Sequence, residues 1–127
     1  QAIRYSANIG DRKTLHSTAI GKVLLGCMPA DQRRKTLAKV KTEAITDRTM
    51  TGVSDIVDDI DTGVRRGYQM TRGENVVDVG AIAMPVSLLG RTFGVAVAGP
   101  VHRLDANVSR HAGLLTEACR KMEALAG

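Results

Sequence analysis

The stretch VVDVGAIAMPVSLLGRTFGVAVA, residues 76–98, decides how the rest of the chain is read. Val76–Val86 and Thr92–Ala98 are β-branched and small-residue runs, and Leu89-Gly90-Arg91 between them is a turn signal, so the two runs should pair as an antiparallel hairpin. Pro85 has no N–H to give to a ladder and therefore belongs at an edge or a bulge. Just upstream, Tyr68–Thr71 reads as a further short strand. Downstream, Gly99-Pro100 ends the hairpin, and Asp105–Leu125 reads as one long helix with Val108, Ala112, Leu115, Cys119 and Met122 on a single face.

Towards the amino terminus the period changes to a helical one. Ala19, Ile20, Val23, Leu24 and Cys27 have helical spacing, with Ser17 or Thr18 as the N-cap. Pro29 breaks that helix and opens a second, roughly 30–40. Thr42–Thr51 is polar and reads as a loop. A third helix begins after Ser54, its expected cap, with Ile56, Val57, Ile60 and Val64 on the apolar face and Gly67 as the stop. Asp55, Asp58, Asp59 and Asp61 lie early in it and Arg65 and Arg66 late, a polarity that suits the helix dipole better than a metal site. Residues 2–8 alternate weakly and suit an edge strand. The order β, α, α, α, β, β, β, α predicts an α+β fold, an antiparallel sheet flanked by helices.

Composition narrows the functional classes. The 127 residues suffice for one domain, and the chain lacks an initiating Met, so a fragment of a longer protein is expected. The net charge of +5 invites a nucleic-acid reading. Arg33, Arg34, Lys35, Lys39 and Lys41 do cluster, but they read as a solvated helix face, and Tyr5, Tyr68 and Phe93 are too few aromatics to stack bases. Cys27 and Cys119 are far apart and read as buried helix thiols, with no zinc or redox spacing. His16, His102 and His111 show no metalloprotease spacing, and no nucleophile elbow, P-loop or dinucleotide fingerprint occurs. Neither a catalytic residue, a metal nor a cofactor is expected, and no apolar run is long enough for a membrane span.

Four segments, in order, resemble the IclR family of bacterial transcription regulators. They are Leu15-His16-Ser17-Thr18-Ala19-Ile20-Gly21-Lys22-Val23-Leu24-Leu25, Val64-Arg65-Arg66-Gly67-Tyr68, Gly80-Ala81-Ile82-Ala83-Met84-Pro85-Val86, and Val97-Ala98-Gly99-Pro100 with Arg103-Leu104. The resemblance implies a GAF-like effector-binding domain over residues 1–127, cytoplasmic, forming dimers or tetramers. DNA would be met only through an N-terminal winged helix-turn-helix outside this sequence.

It also implies an effector cavity contacted by Ile20, Thr71, Ala81, Ala96 and Ala98, with His16 and Ser17 at the helix entrance. Family members that take small keto acids tend to carry serines where this chain has Ala96 and Ala98, and often an acidic residue at the position of Thr71. The alanines therefore suggest a less polar or bulkier acid, aromatic or branched. The amino end of the helix, with its unpaired N–H groups, suits the carboxylate. Each of these residues also fits plain packing: the alanines as close helix-on-sheet contacts, His16 as a helix-entry residue, Ser17 as a cap, Lys22 as solvated or paired, Arg103 as a structural donor to carbonyls. The competing function is a GAF-like enzyme acting on a small metabolite.

Overall fold

A computed structural model describes residues 9–10 and 12–126. The strand expected over 2–8 lies outside the described residues. The elements run α1 (Ala19–Gly26), α2 (Ala30–Lys39), α3 (Val53–Arg66), β1 (Gln69–Arg72), β2 (Val79–Leu88), β3 (Arg91–Pro100), α4 (Val101–Ala106) and α5 (Val108–Ala126). The three strands form one antiparallel sheet in the order β1-β2-β3. This is the α+β arrangement that the period changes along the chain require.

The sheet sorts its side chains by the two-residue alternation of strands. On one face Ile82, Met84 and Val86 of β2 pack with Leu104 of α4 and Leu115 and Cys119 of α5. On the other face the residues are small: Ala83 packs on Ala19 and Val23, with Ala81 beside them, and α1 lies close to the strands. A third cluster, Leu25, Leu37, Ile56, Val57 and Ile60, fastens α1 and α2 to α3. Full burial of each Val, Leu, Ile or Met side chain among these contributes about 1.5–3 kcal/mol, and on the α5 side the Ser87 N–H also donates to Glu123 Oε2 at 2.8 Å.

Several local expectations are corrected. Of the two caps expected for α1, Thr18 takes the role: its backbone is extended and its Oγ1 accepts the Gly21 N–H. Helix α3 begins one residue before Ser54, at Val53, and its N-cap Gly52 offers no side-chain cap. Its end is as expected, with Gly67 left-handed at φ 100°. The single carboxy-terminal helix is two, because Asn107 sits at φ −135° between α4 and α5 and its Nδ2 donates to the Arg103 carbonyl. An Asn side chain that bonds the local backbone competes with helix continuation. That carbonyl is the hydrogen-bonded group of Arg103, whose side chain is exposed. Cys27 is exposed rather than buried. Cys119 is buried, and burial first, then the Glu123 carboxylate, pushes its thiol pKa up.

Arg33 is not part of a solvated basic face either. It is buried, and its guanidinium donates to the carbonyls of Leu25, Gly26 and Met28 while pairing with Asp61. It thereby adds donors at the carboxy-terminal end of α1, where the Leu25 carbonyl also accepts the Met28 N–H.

Pro85 fits because β1 pairs with β2 only from Gly80 to Ala83, which leaves β2 a local edge at Pro85 on that side. The β2–β3 turn is tight, with Leu88 opposite Arg91 and both central residues at positive φ, Leu89 at 51° and Gly90 at 76°. Leucine in that region costs about 1–2 kcal/mol, and Leu89 is exposed, so it gains nothing back from packing. Leu89→Gly is expected to raise stability by about 1 kcal/mol in denaturant unfolding; an unchanged or lower midpoint would show that the turn carries no such cost.

Candidate functional site

Between α1 and the small-residue face of the sheet lies a cavity of about 390 Å³. Register builds its floor: Thr71 of β1 pairs with Ala81 of β2, which pairs with Ala98 of β3, and all three border the space. Their short side chains are the reason a void exists at all. Ala96, one turn of the alternation away, extends the floor, and Ile20 and Leu24 of α1 form the roof. Ile20 itself sits over Gly94, where a Cβ would come within 2.8 Å of Ile20 Cγ2.

Of the seven residues singled out from sequence, Ile20, Thr71, Ala81, Ala96 and Ala98 border the cavity. His16 and Ser17 do not. Both are fully buried behind the helix entrance. His16 Nε2 donates to the Glu43 carbonyl at 2.8 Å, which puts a proton on that nitrogen, while buried Nδ1 has no partner among the described residues. Ser17 Oγ donates to Asn75 Oδ1 at 3.2 Å and also bonds the Thr14 hydroxyl. Their place in the fold is to tie α1's entrance to two loops.

The polar groups at the cavity are few. Thr71 is only 5% exposed, and among the described residues its hydroxyl has no hydrogen-bond partner. Asn75, on the loop between β1 and β2, borders the cavity and spends its Oδ1 on Ser17. The first turn of α1 borders it as well, and the first helical N–H to find a backbone carbonyl is that of Lys22, bonded to Thr18. The N–H groups of Ala19 and Ile20 therefore stand at the positive end of the helix without intrahelical acceptors. Asn75 and Thr14 lie on loops, which carry no period to mark them, and Val76, expected to open the strand, precedes β2, which begins at Val79.

Lys22, expected at the helix surface, is completely buried. Its ammonium pairs with Glu74 Oε1 at 2.6 Å and Asp59 Oδ2 at 2.7 Å. It faces away from the cavity, joining α1 to α3 and to the β1–β2 loop. No group of three or more His, Cys, Asp or Glu side chains among the described residues is placed to hold a metal ion. No helix of the described residues is long and apolar enough to cross a membrane.

The architecture is one antiparallel sheet with a helix-roofed hollow on its small-residue face, and it is shared with domains of bacterial transcription regulators. The chain belongs to the family described as Bacterial transcriptional regulator IclR C-terminal, whose model matches residues 1–124. Among curated relatives, BhcR of Paracoccus denitrificans is 34% identical over 89% of this chain and 42% of its own length. KdgR of Escherichia coli is 32% identical over 98% of this chain and 49% of its own. Both are named HTH-type transcriptional regulators, and this chain spans about half the length of either. The solved C-terminal domain of E. coli KdgR superposes with a TM-score of 0.81 at 31% identity, covering 91% of this chain and 73% of that one. The inducer-binding domain of PobR from Acinetobacter, solved as a double mutant with 3-hydroxybenzoic acid, has the same fold, with a TM-score of 0.82 at 23% identity over 97% and 74% of the two chains. These relatives are regulators, which supports the regulator reading over the GAF-like enzyme.

Proposed function

We propose that this chain is the effector-sensing domain of a larger, cytoplasmic regulator, that it is not an enzyme, and that its cavity takes a small carboxylic acid with a mostly apolar body. One observation carries the reading: among the described residues the hollow is floored by Ala81, Ala96 and Ala98, and its polar contacts lie near Thr71, Asn75, Lys13, Thr14 and the first turn of α1. An apolar ring or branched chain fills the alanine floor, and the carboxylate meets the amide groups of α1's first turn. The partial positive charge there adds about 0.3–1 kcal/mol. The unpartnered Thr71 hydroxyl supplies a second, neutral hydrogen bond. His16 and Ser17 serve the ligand from behind, by holding the helix entrance.

For such binding to control DNA through a domain outside this chain, the acid must prefer one of two arrangements of a homodimer or homotetramer; light scattering on the intact regulator measures the subunit count. A thermal-shift panel tests the site itself. Aromatic or branched acids such as 3-hydroxybenzoate are expected to raise the melting temperature more than glyoxylate or pyruvate. A larger shift with either small keto acid would overturn the apolar-acid reading.

A further inference from the structure

We infer that Glu74 and Lys22 form a buried clamp that positions the cavity's Asn75 wall, which makes Glu74 a positioning residue for the effector site. The inference rests on the ligand-sensing reading above and adds a determinant that does not touch the ligand. Glu74 is held at both carboxylate oxygens and at its carbonyl: Oε1 by Lys22 Nζ at 2.6 Å, Oε2 by the Arg72 N–H at 3.3 Å, and the carbonyl by Thr49 Oγ1 at 2.6 Å. The neighbouring Gly73 carbonyl accepts from Thr46 Oγ1 at 2.6 Å, and the Gly73 N–H donates to the Val79 carbonyl at 2.8 Å. Residues 73 and 74 are therefore fixed from three sides, by α1, by β1 and by the 42–51 loop.

Immediately after Glu74 the chain becomes cavity wall: Asn75, Val76 and Val79 all border the hollow. Asn75 is then held from the far side by Ser17, the residue before α1's cap. The roof and this wall of the site are thus locked to one another by an ion pair on one side of Asn75 and a hydrogen bond on the other. A charged pair in a dry setting is a poor source of net stability but a strong source of unique geometry, because few other arrangements satisfy both charges. Lys22 is nonetheless kept completely buried, with Glu74 only 8% exposed at its side chain.

The test compares Glu74→Gln, which removes the charge and keeps the shape, with Met122→Ala on α5, which loosens the opposite face of the sheet. Two readouts are taken, hydrogen exchange at the Gly73 and Val79 amides without ligand and calorimetric affinity for 3-hydroxybenzoate. Glu74→Gln is expected to speed exchange at both amides about tenfold or more and to weaken binding by a similar factor. Met122→Ala should lower the melting temperature without either effect. Unchanged exchange in Glu74→Gln, or equal loss of affinity in both variants, would overturn the clamp. If the unaltered protein binds no acid, the ligand-sensing reading fails by itself, and the exchange rates still decide the clamp.

Discussion

Lys22→Met is expected to lower the unfolding free energy by about 3–5 kcal/mol, the range observed when one partner of a buried ion pair is removed. Methionine matches the length of the lysine stem and keeps its packing, so the loss reports the charge rather than a void. Without the ammonium, Glu74 is left as an acceptor in a nearly dry site, with only the Arg72 amide to bond. Asp59, with its side chain 30% exposed, can turn to water and suffers less. The asymmetry yields a second expected result: Lys22→Met combined with Glu74→Gln should recover part of the loss, because a neutral amide is far cheaper to bury than a stranded carboxylate. Denaturant unfolding of the two variants measures both. A single-variant loss below about 1 kcal/mol would mean that the ammonium is not held dry.

The same lysine shows where sequence reading stops. The spacing of Ala19, Ile20, Val23, Leu24 and Cys27 says that α1 has an apolar side; Ala19 and Val23 of that set are buried, as is Leu25 beside it, while Ile20, Leu24 and Cys27 are exposed. Lys22 lies between them in sequence, and its burial could not be foreseen, because it depends on Asp59, 37 positions away, and Glu74, 52 away. Arg33 is the same case: in the sequence it belongs to a basic run, in the fold it closes the end of α1. Strand patterns are more legible. The alternation through Ala81, Ala83, Ala96 and Ala98 fixes which side chains share a face, and the short side chains on that face leave the space bordered by Thr71, Ala81 and Ala98. The helix entrance is legible only in outline. A run of Leu-His-Ser-Thr offers two hydroxyls as caps, and choosing between them takes the backbone angles: Thr18 is extended and reaches Gly21, which frees Ser17 to reach Asn75.

Ala81→Phe provides the sharper test of where a ligand sits. Ala81 is the middle member of the Thr71–Ala81–Ala98 row and is only half-buried, because the space above it is empty. A phenyl ring there has room within a hollow of about 390 Å³ and suits a strand. Because the ring enters open space rather than a packed core, the fold should escape most of the roughly 1–3 kcal/mol that overpacking costs. The acid, however, loses the same space, and affinity for 3-hydroxybenzoate should fall at least about a hundredfold, equivalent to about 2.7 kcal/mol. The contrast is Ala83→Phe, two residues along on the same face. Ala83 is fully buried against Ala19 and Val23, with no space to accept a ring. There the same substitution overpacks the helix–sheet contact and should cost about 1–3 kcal/mol of stability or more. Small residues on one strand face thus serve two purposes, close packing at Ala83 and an open floor at Ala81, and the two variants separate them. If Ala81→Phe binds the acid as tightly as the parent chain, the ligand sits elsewhere and the cavity is only a packing defect.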